Sequence, residues 1–160
     1  MKKIRLPGLL FLAQATTAFA AEVPPAEDDK GFWYAQTSVY TRHFSPDPDH
    51  NNKQNLIGLE RNEASGFVYG GATFRNSFGQ RSYYAYAGQR YDMTDYPVYL
   101  KITGGAIQGY RGKYRDKIPL NRLGVAPVVI PSVGTYYGPV AAEVVLLGLN
   151  AVMVTTGVRF

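Results

Sequence analysis

The sequence predicts an all-β protein, an eight-stranded antiparallel transmembrane β-barrel of the outer membrane. Tyrosine and glycine are abundant, with 13 and 17 copies, and this suits many short strands better than packed helices. Eight strand-like runs fall within about 140 residues, and spanning strands need roughly 9 to 11 residues each. The last run alternates apolar and other residues up to Phe160. A periplasmic β-sandwich is the alternative β fold.

The N-terminus indicates export. Lys2, Lys3 and Arg5 precede a mostly apolar stretch over residues 6–13, and Ala18-Phe19-Ala20 is a small-x-small cleavage site, so residues 1–20 read as a signal peptide. Removing its three cations lowers the formal charge from +5 to +2, and the basic balance therefore indicates no nucleic-acid partner. Without cysteine, the chain has neither a disulfide scaffold nor a thiol nucleophile.

The mature sequence contains no candidate membrane helix. Its most apolar stretch, residues 140–149, is shorter than the roughly 18 residues that such a helix needs, and it contains Glu143. Residues 21–31, with two prolines and a short acidic run, are predicted to form a flexible or short helical N-terminal segment. The barrel domain then occupies residues 32–160.

The strands are predicted in order from their aromatic and β-branched runs. Strand 1 covers residues 32–43, and a proline-rich polar loop follows it over residues 44–55. The others are predicted at residues 56–61, 67–75, 81–91, 98–110, 125–133, 140–147 and 151–160. A second long polar stretch, rich in Lys and Arg, covers residues 111–122. Long connections after odd strands and short ones after even strands are typical of extracellular loops and periplasmic turns.

Two candidate catalytic groups fall at the same predicted rim. His43 ends strand 1, and Asn76-Ser77 ends strand 3, so an antiparallel meander brings both to the extracellular side. Imidazole can take a proton near neutral pH, and a hydroxyl can act as nucleophile or oxyanion donor. A loop-end histidine beside an ordinary β-turn is the alternative interpretation.

The chain contains no metal-binding or nucleotide-binding motif. It has no His-Glu-x-x-His sequence and no calcium-loop spacing, and its glycines do not join a strand to a helix as a phosphate loop requires. Asp47 and Asp49 are interpreted as a solvated turn. We therefore expect no metal and no cofactor.

A family resemblance emerges from short segments in a fixed order. The chain resembles the PagP-type phospholipid:lipid A palmitoyltransferases, which are outer-membrane acyltransferases. The matching segments are His43, Phe74-Arg75-Asn76-Ser77, Ala87-Gly88, Ile118-Pro119-Leu120, Pro127, Pro131 and Tyr137-Gly138-Pro139.

The resemblance implies a monomeric enzyme that moves a palmitoyl chain from a phospholipid donor to a hydroxyl of lipid A, its acceptor, in the outer leaflet. It implies catalytic roles for His43 and Ser77. Asn76 stands where better-known members have aspartate, so hydrogen bonding is its implied use. In the family, weakened seams let lipids enter sideways, and this implies lateral lipid access at Pro127, Pro131 and Pro139, which cannot complete a ladder.

Two other functions fit the sequence. A lipid A deacylase would use a His-x-Ser spacing such as His43-Phe44-Ser45, but Pro46 stands where asparagine is expected. A structural or adhesion barrel would have an interior filled with charged side chains, whereas a lipid enzyme would have an apolar, partly empty one. Glycines 70, 71, 104 and 105 are expected to leave space for an acyl chain.

Overall fold

We describe a computed structural model of the chain over residues 30–45, 47–121 and 123–160. The proposed signal peptide lies outside the described residues. The same is true of the N-terminal segment and its possible helix, apart from Lys30 and Gly31. Among the described residues, no helix is long and apolar enough to cross a membrane.

Eight antiparallel strands form a closed barrel in which each strand pairs with its neighbours in sequence and β8 pairs with β1. This confirms the predicted fold class. The strands are β1 (Phe32–His43), β2 (Ile57–Asn62), β3 (Phe67–Arg75), β4 (Arg81–Asp92), β5 (Val98–Gln108), β6 (Val125–Tyr137), β7 (Val140–Leu147) and β8 (Ala151–Arg159). The end that carries the connections after β1, β3, β5 and β7 is called the loop end, and the opposite end is called the turn end.

The main error in the predicted bounds lies at the end of β6. The strand was predicted to end at residue 133, but β6 continues to Tyr137, which pairs with Val140. The chain reverses over Gly138 and Pro139, and Gly138 adopts a φ of 57°. Such a two-residue hairpin needs positive φ, which glycine adopts without strain. The long connection after β5 contains a short 3₁₀ helix at Gly112–Lys117 that the sequence did not predict.

A β-bulge in β1 decides the direction of His43. In the pairing with β8, Ser38 lies opposite Thr155 and Tyr40 lies opposite Val154, so Val39 is an extra residue. A bulge of this kind inverts the alternation of side chains beyond it. Even-numbered residues of β1 face inward before the bulge, whereas Thr41 and His43 are the buried residues after it. An unbroken strand would have directed His43 away from the interior.

The outer face of the barrel is apolar along its strands. Outward-facing residues that are large, hydrophobic and exposed occur on all eight strands: Val39, Ile57, Leu59, Phe67, Tyr69, Tyr83, Ile102, Val125, Val129, Val133, Val140, Val144, Leu146 and Val158. A barrel surrounded by lipid needs such a surface.

The interior is divided along the barrel axis. Towards the loop end, Phe74, Tyr84 and Ile107 form an apolar cluster. Towards the turn end, the buried residues are charged and aromatic, including Glu60, Lys101 and Glu143. The interior therefore combines the two arrangements that were expected to separate a lipid enzyme from a structural barrel.

Candidate active site

His43 and Ser77 are in direct contact at the loop end. The Nε2 atom of His43 lies 2.8 Å from the Oγ atom of Ser77, although β2 separates their strands. His43 is 8% exposed, and Ser77 is half-buried. The sequence placed both residues at one rim, and the structure brings them into hydrogen-bonding contact.

Asn52 completes a hydrogen-bonded series through His43. Its Oδ1 atom lies 2.7 Å from His43 Nδ1. An amide oxygen can only accept, so Nδ1 carries the ring proton, and Nε2 is left to accept the hydroxyl proton of Ser77. The series Asn52–His43–Ser77 has the order of orienting group, base and hydroxyl found in nucleophilic acyl-transfer enzymes.

Sequence reasoning missed Asn52 because it treated residues 44–55 only as a polar loop. The loop folds back over the site, where Asn51 donates from its backbone N–H to the Ser77 carbonyl and from its side chain to the Asn76 carbonyl. The adjacent asparagines in a loop that directly follows His43 were the available signal. No local pattern indicates where such a loop docks.

Asn76 holds the turn that carries Ser77 and is fully buried. Its Oδ1 accepts hydrogen bonds from the backbone N–H groups of Phe78 and Gln80, and its Nδ2 donates to Ser82 Oγ and to the Gly109 carbonyl. No hydrogen bond joins the side chains of Asn76 and His43 among the described residues. Asn76 is therefore a positioning residue here, and Asn52 occupies the place beside the imidazole.

Aromatic contacts join the loops around this series. The ring of His50 stacks on His43 with centroids 4.2 Å apart, and Phe78 meets His50 edge-on. Phe78 also stacks on Tyr114 of the 3₁₀ helix at 4.1 Å. One side chain in the Ser77 turn thus connects the loops that follow β1 and β5.

Tyr110 lies beside Ser77, in the connection after β5. Burial raises the pKa of the Tyr110 phenol above its ordinary value, and hydrogen bonding to Ser77 opposes the shift. The phenol is therefore protonated at neutral pH and can donate a hydrogen bond. Sequence reasoning did not single out this residue.

An apolar cavity of about 310 Å³ extends inward from Ser77. Its walls are mainly apolar side chains, from Leu56 just before β2 and from several strands: Phe74, Tyr84, Ile107, Val128, Ile130 and Met153. The glycines expected to leave space do not line it, and Gly71 and Gly104 lie on outward-facing positions, so that expectation was wrong. Ala72 provides a small wall residue instead.

A buried ionic network forms the floor of this cavity. Lys101 Nζ lies 2.9 Å from Glu60 Oε2 and 2.7 Å from Glu143 Oε1. Tyr86 donates to Glu60, and Tyr99 donates to Glu143, both at 2.9 Å. An alkyl chain gains nothing by displacing paired charges, so the network limits the depth of the apolar space.

The three prolines predicted to give lateral access do not lie at one place. The β6 residues Val125–Pro131 pair with β5, but within the described chain the pairing of β6 with β7 begins only at Ser132. Pro127 and Pro131 lie in this stretch, which is paired with β5 but not with β7, and Pro127 lines the apolar cavity. Pro139 lies instead in the hairpin at the turn end, so it does not contribute to the seam.

A second, polar cavity of about 240 Å³ adjoins Ser77 on the solvent side. It is lined by His43, Ser45, His50, Ser77, Phe78, Tyr110, Lys117 and Asn150. Ser45 of the His-x-Ser pair therefore lies in this cavity, but His43 forms its hydrogen bond with Ser77. Among the described residues, no group of three or more His, Cys, Asp or Glu side chains could hold a metal ion.

Comparisons with known proteins support the fold. No protein-family model matches the chain, and no curated protein matches it. It is similar to a de novo designed transmembrane β-barrel with a TM-score of 0.57 and 10% identity, covering 82% of this chain and 97% of the other. The Yersinia pestis outer membrane protein Ail gives a TM-score of 0.39 at 16% identity over 82% of this chain and 100% of that one, a likeness too low to bear on function. The chain has the fold of a small transmembrane β-barrel.

Proposed function

We propose that the protein is an acyltransferase of the outer membrane that moves a palmitoyl chain from a glycerophospholipid to a hydroxyl of lipid A in the outer leaflet. The observation that carries the proposal is the Asn52–His43–Ser77 series at the junction of a polar and an apolar cavity. The apolar outer face of the barrel and the resemblance in ordered segments support the same membrane and substrates.

In the first step, Ser77 attacks the carbonyl carbon of the donor ester. Its hydroxyl proton passes to His43 Nε2, which is the nearest base at 2.8 Å. The ester C–O bond then breaks, and the leaving glycerol oxygen takes the proton from His43. The products of this step are an acyl ester on Ser77 and a lysophospholipid.

Tyr110 stabilises the charge that develops on the carbonyl oxygen. It lines both cavities together with Ser77, and its phenol is protonated at neutral pH. A fixed donor at a developing oxyanion lowers the barrier because the donor needs no reorientation during the reaction.

In the second step, a lipid A hydroxyl gives its proton to His43 and attacks the acyl group on Ser77. The Ser77 C–O bond breaks, and the proton returns to the serine oxygen. Asn52 accepts from Nδ1 throughout both steps and stabilises the imidazolium that forms in each.

The apolar cavity holds the acyl chain during transfer, with its far end at the Lys101 network. A lipid in the membrane reaches this space through the seam between Val125–Pro131 and the loop end of β7, where backbone pairing between β6 and β7 is missing. Val128, Ile130 and Leu147 from the two sides of the seam line the cavity.

Deacylation is a second candidate because of the polar cavity at Ser77. In that case Ser77 would take an acyl chain from lipid A itself, and water in the cavity would hydrolyse the resulting acyl-serine and release a free fatty acid. The reaction would use Ser77, and not Ser45 as the His-x-Ser spacing suggested.

The test is mass spectrometry of lipid A from Gram-negative cells that express the wild type, His43→Ala or Ser77→Ala. We expect the wild type to add one palmitoyl group and both variants to add none while remaining folded in the membrane. Loss of an acyl chain in the wild type would indicate the deacylase. Unchanged lipid A in all cells would indicate a non-enzymatic barrel.

A further inference from the structure

We propose that the polar cavity beside Ser77 is a binding site for a phosphate ester and that Lys117 is its cationic anchor. The inference rests on the proposed function, since it places the charged part of a lipid next to the serine that receives the acyl group. The shared chemistry is a phosphate carried either by the donor, as a phosphodiester, or by lipid A, as a phosphomonoester.

Within the part of the chain that the structure describes, Lys117 is the cation that lines the polar cavity, and no ion pair or hydrogen bond is formed by its side chain. Its side chain lines the polar cavity, and no Asp or Glu among the described residues does so. None of the ion pairs within the described chain involves Lys117. A lysine in this setting is available to an external anion, and phosphate oxygens are strong acceptors for an ammonium group.

His50 contributes a second unused polar atom. Its Nδ1 is buried and has no hydrogen-bond partner among the described residues, while its ring is fixed by stacking on His43 and by Phe78. A buried polar atom without a partner costs free energy, and a ligand oxygen in the cavity would supply the missing hydrogen bond to an N–H at this position. Ser45 and Asn150 add hydrogen-bonding groups to the wall.

The arrangement of the two cavities matches the arrangement of groups in a phospholipid. Ser77, Tyr110, Lys117 and Asn150 line both cavities, so they form the passage between them. In a glycerophospholipid the acyl ester lies between an apolar chain and a phosphate. A lipid with its chain in the apolar cavity and its ester at Ser77 therefore places its phosphate on the Lys117 side.

The same loop supplies a matched control. Lys113 lies over the ring of Tyr114, with Nζ 4.8 Å from the ring centroid, and it lines neither cavity. Both lysines belong to the short helix at Gly112–Lys117 and carry the same charge. If anions were attracted to this basic loop in general, removing either lysine would weaken their binding equally. If they bind in the polar cavity, only the removal of Lys117 weakens it.

The experiment measures binding without turnover. The Ser77→Ala protein, refolded in uncharged detergent with ¹⁵N-labelled histidine, is titrated with dihexanoylphosphatidylglycerol or with dihexanoylglycerol, which has the same chains and no phosphate. A second arm compares lipid A with dephosphorylated lipid A. The NMR signals of His43 and His50 report binding, and Lys117→Gln, Lys117→Arg and Lys113→Gln are each added to the Ser77→Ala background.

We expect Lys117→Gln to raise the Kd of a phosphate-bearing ligand about tenfold and to leave that of its phosphate-free partner unchanged. Lys117→Arg should retain most of the affinity, and Lys113→Gln all of it. An effect in the phosphatidylglycerol arm assigns the site to the donor, and an effect in the lipid A arm assigns it to the acceptor.

Equal affinities of the Lys117→Gln and parent proteins in both arms, with the spectrum of a folded barrel, would overturn the proposal. Equal losses in Lys117→Gln and Lys113→Gln would also overturn it. Because the parent protein lacks Ser77, a positive result stands even if no acyl transfer is found. A negative result likewise leaves the proposed transfer untouched.

Discussion

His43 and Ser77 contact one another across an intervening strand, with Nε2 and Oγ 2.8 Å apart. Three separate features produce this contact. The bulge at Val39 turns His43 inward, Asn76 fixes the turn that carries Ser77, and the loop after β1 docks on that turn through Asn51. Substitutions at Val39, Asn76 or Asn51 would disturb one feature each and leave His43 and Ser77 themselves unchanged.

Asn52 should set the tautomer of His43. We expect Asn52→Leu to lower kcat on the order of 10²-fold with little change in KM, because Nε2 loses its fixed role as proton acceptor. Asn52→Asp should retain activity, since a carboxylate accepts the same hydrogen bond. Steady-state transfer assays check both variants, and an unchanged kcat in Asn52→Leu would remove Asn52 from the mechanism.

Aspartate should not be tolerated at position 76, although the family that the chain resembles has aspartate there. An aspartate accepts from Phe78 and Gln80 but cannot donate to Ser82 or to the Gly109 carbonyl. We expect Asn76→Asp to lower both the thermal unfolding midpoint and activity, because a buried charge then faces a carbonyl oxygen. A variant at least as stable and active as the wild type would show that Asn76 acts as the family's aspartate does.

Tyr110 should act on the transition state. Replacing it with phenylalanine keeps the ring and removes the donor, so kcat should fall on the order of 10²-fold while KM stays nearly constant. A change in KM alone would mean that the phenol binds substrate and does not stabilise the oxyanion.

Ala72 should control how much acyl chain the cavity accepts. Ala72 lines the apolar cavity, while Ala85, on the neighbouring strand, is exposed on the outer face. Under the proposed transfer, we expect Ala72→Leu to shift the donor preference from palmitoyl to shorter chains, and Ala85→Leu to leave that preference unchanged. The measurement is competition between phospholipids of different chain length, with the transferred chains analysed by mass spectrometry. An unaltered chain profile in Ala72→Leu would place the acyl chain elsewhere.

Removing only the cation of the Lys101 network should be strongly destabilising. Lys101→Met leaves Glu60 and Glu143 buried without their cation, and breaking such a cluster costs about 3–5 kcal/mol. Changing Glu60 and Glu143 to glutamine in the same variant should recover most of the loss. Denaturant unfolding in lipid vesicles measures the free energies, and a loss below about 1 kcal/mol in Lys101→Met would contradict a buried pair, since that is the range of exposed ion pairs.

The strands could be predicted because their signals are local. The runs that became β1, β3 and β7 had the predicted bounds, since aromatic and β-branched residues stop where turn residues begin. The shared rim of His43 and Ser77 followed from alternating strand direction. The direction of the His43 side chain did not, because the bulge at Val39 depends on pairing with β8 and leaves no mark in the sequence.

Contacts between distant parts of the chain account for the other omissions. Asn52 gains its position only when the loop after β1 lies over the Ser77 turn. Glu60, Lys101 and Glu143 come from β2, β5 and β7, and only barrel closure brings them together. Pro139 was grouped with Pro127 and Pro131 because the family resemblance implied lateral access and proline cannot complete a ladder, although the hairpin places Pro139 at the other end of the barrel.

The most direct test of acyl transfer through Ser77 follows an isotopic label. The purified protein, reconstituted with lipid A and with a glycerophospholipid whose acyl chain is labelled, is sampled over time by mass spectrometry. We expect the label to appear on lipid A, with an equivalent amount of lysophospholipid, and to remain on the donor with Ser77→Ala or His43→Ala. Transfer that persists in Ser77→Ala, or label that never leaves the donor with the wild type, would contradict the account.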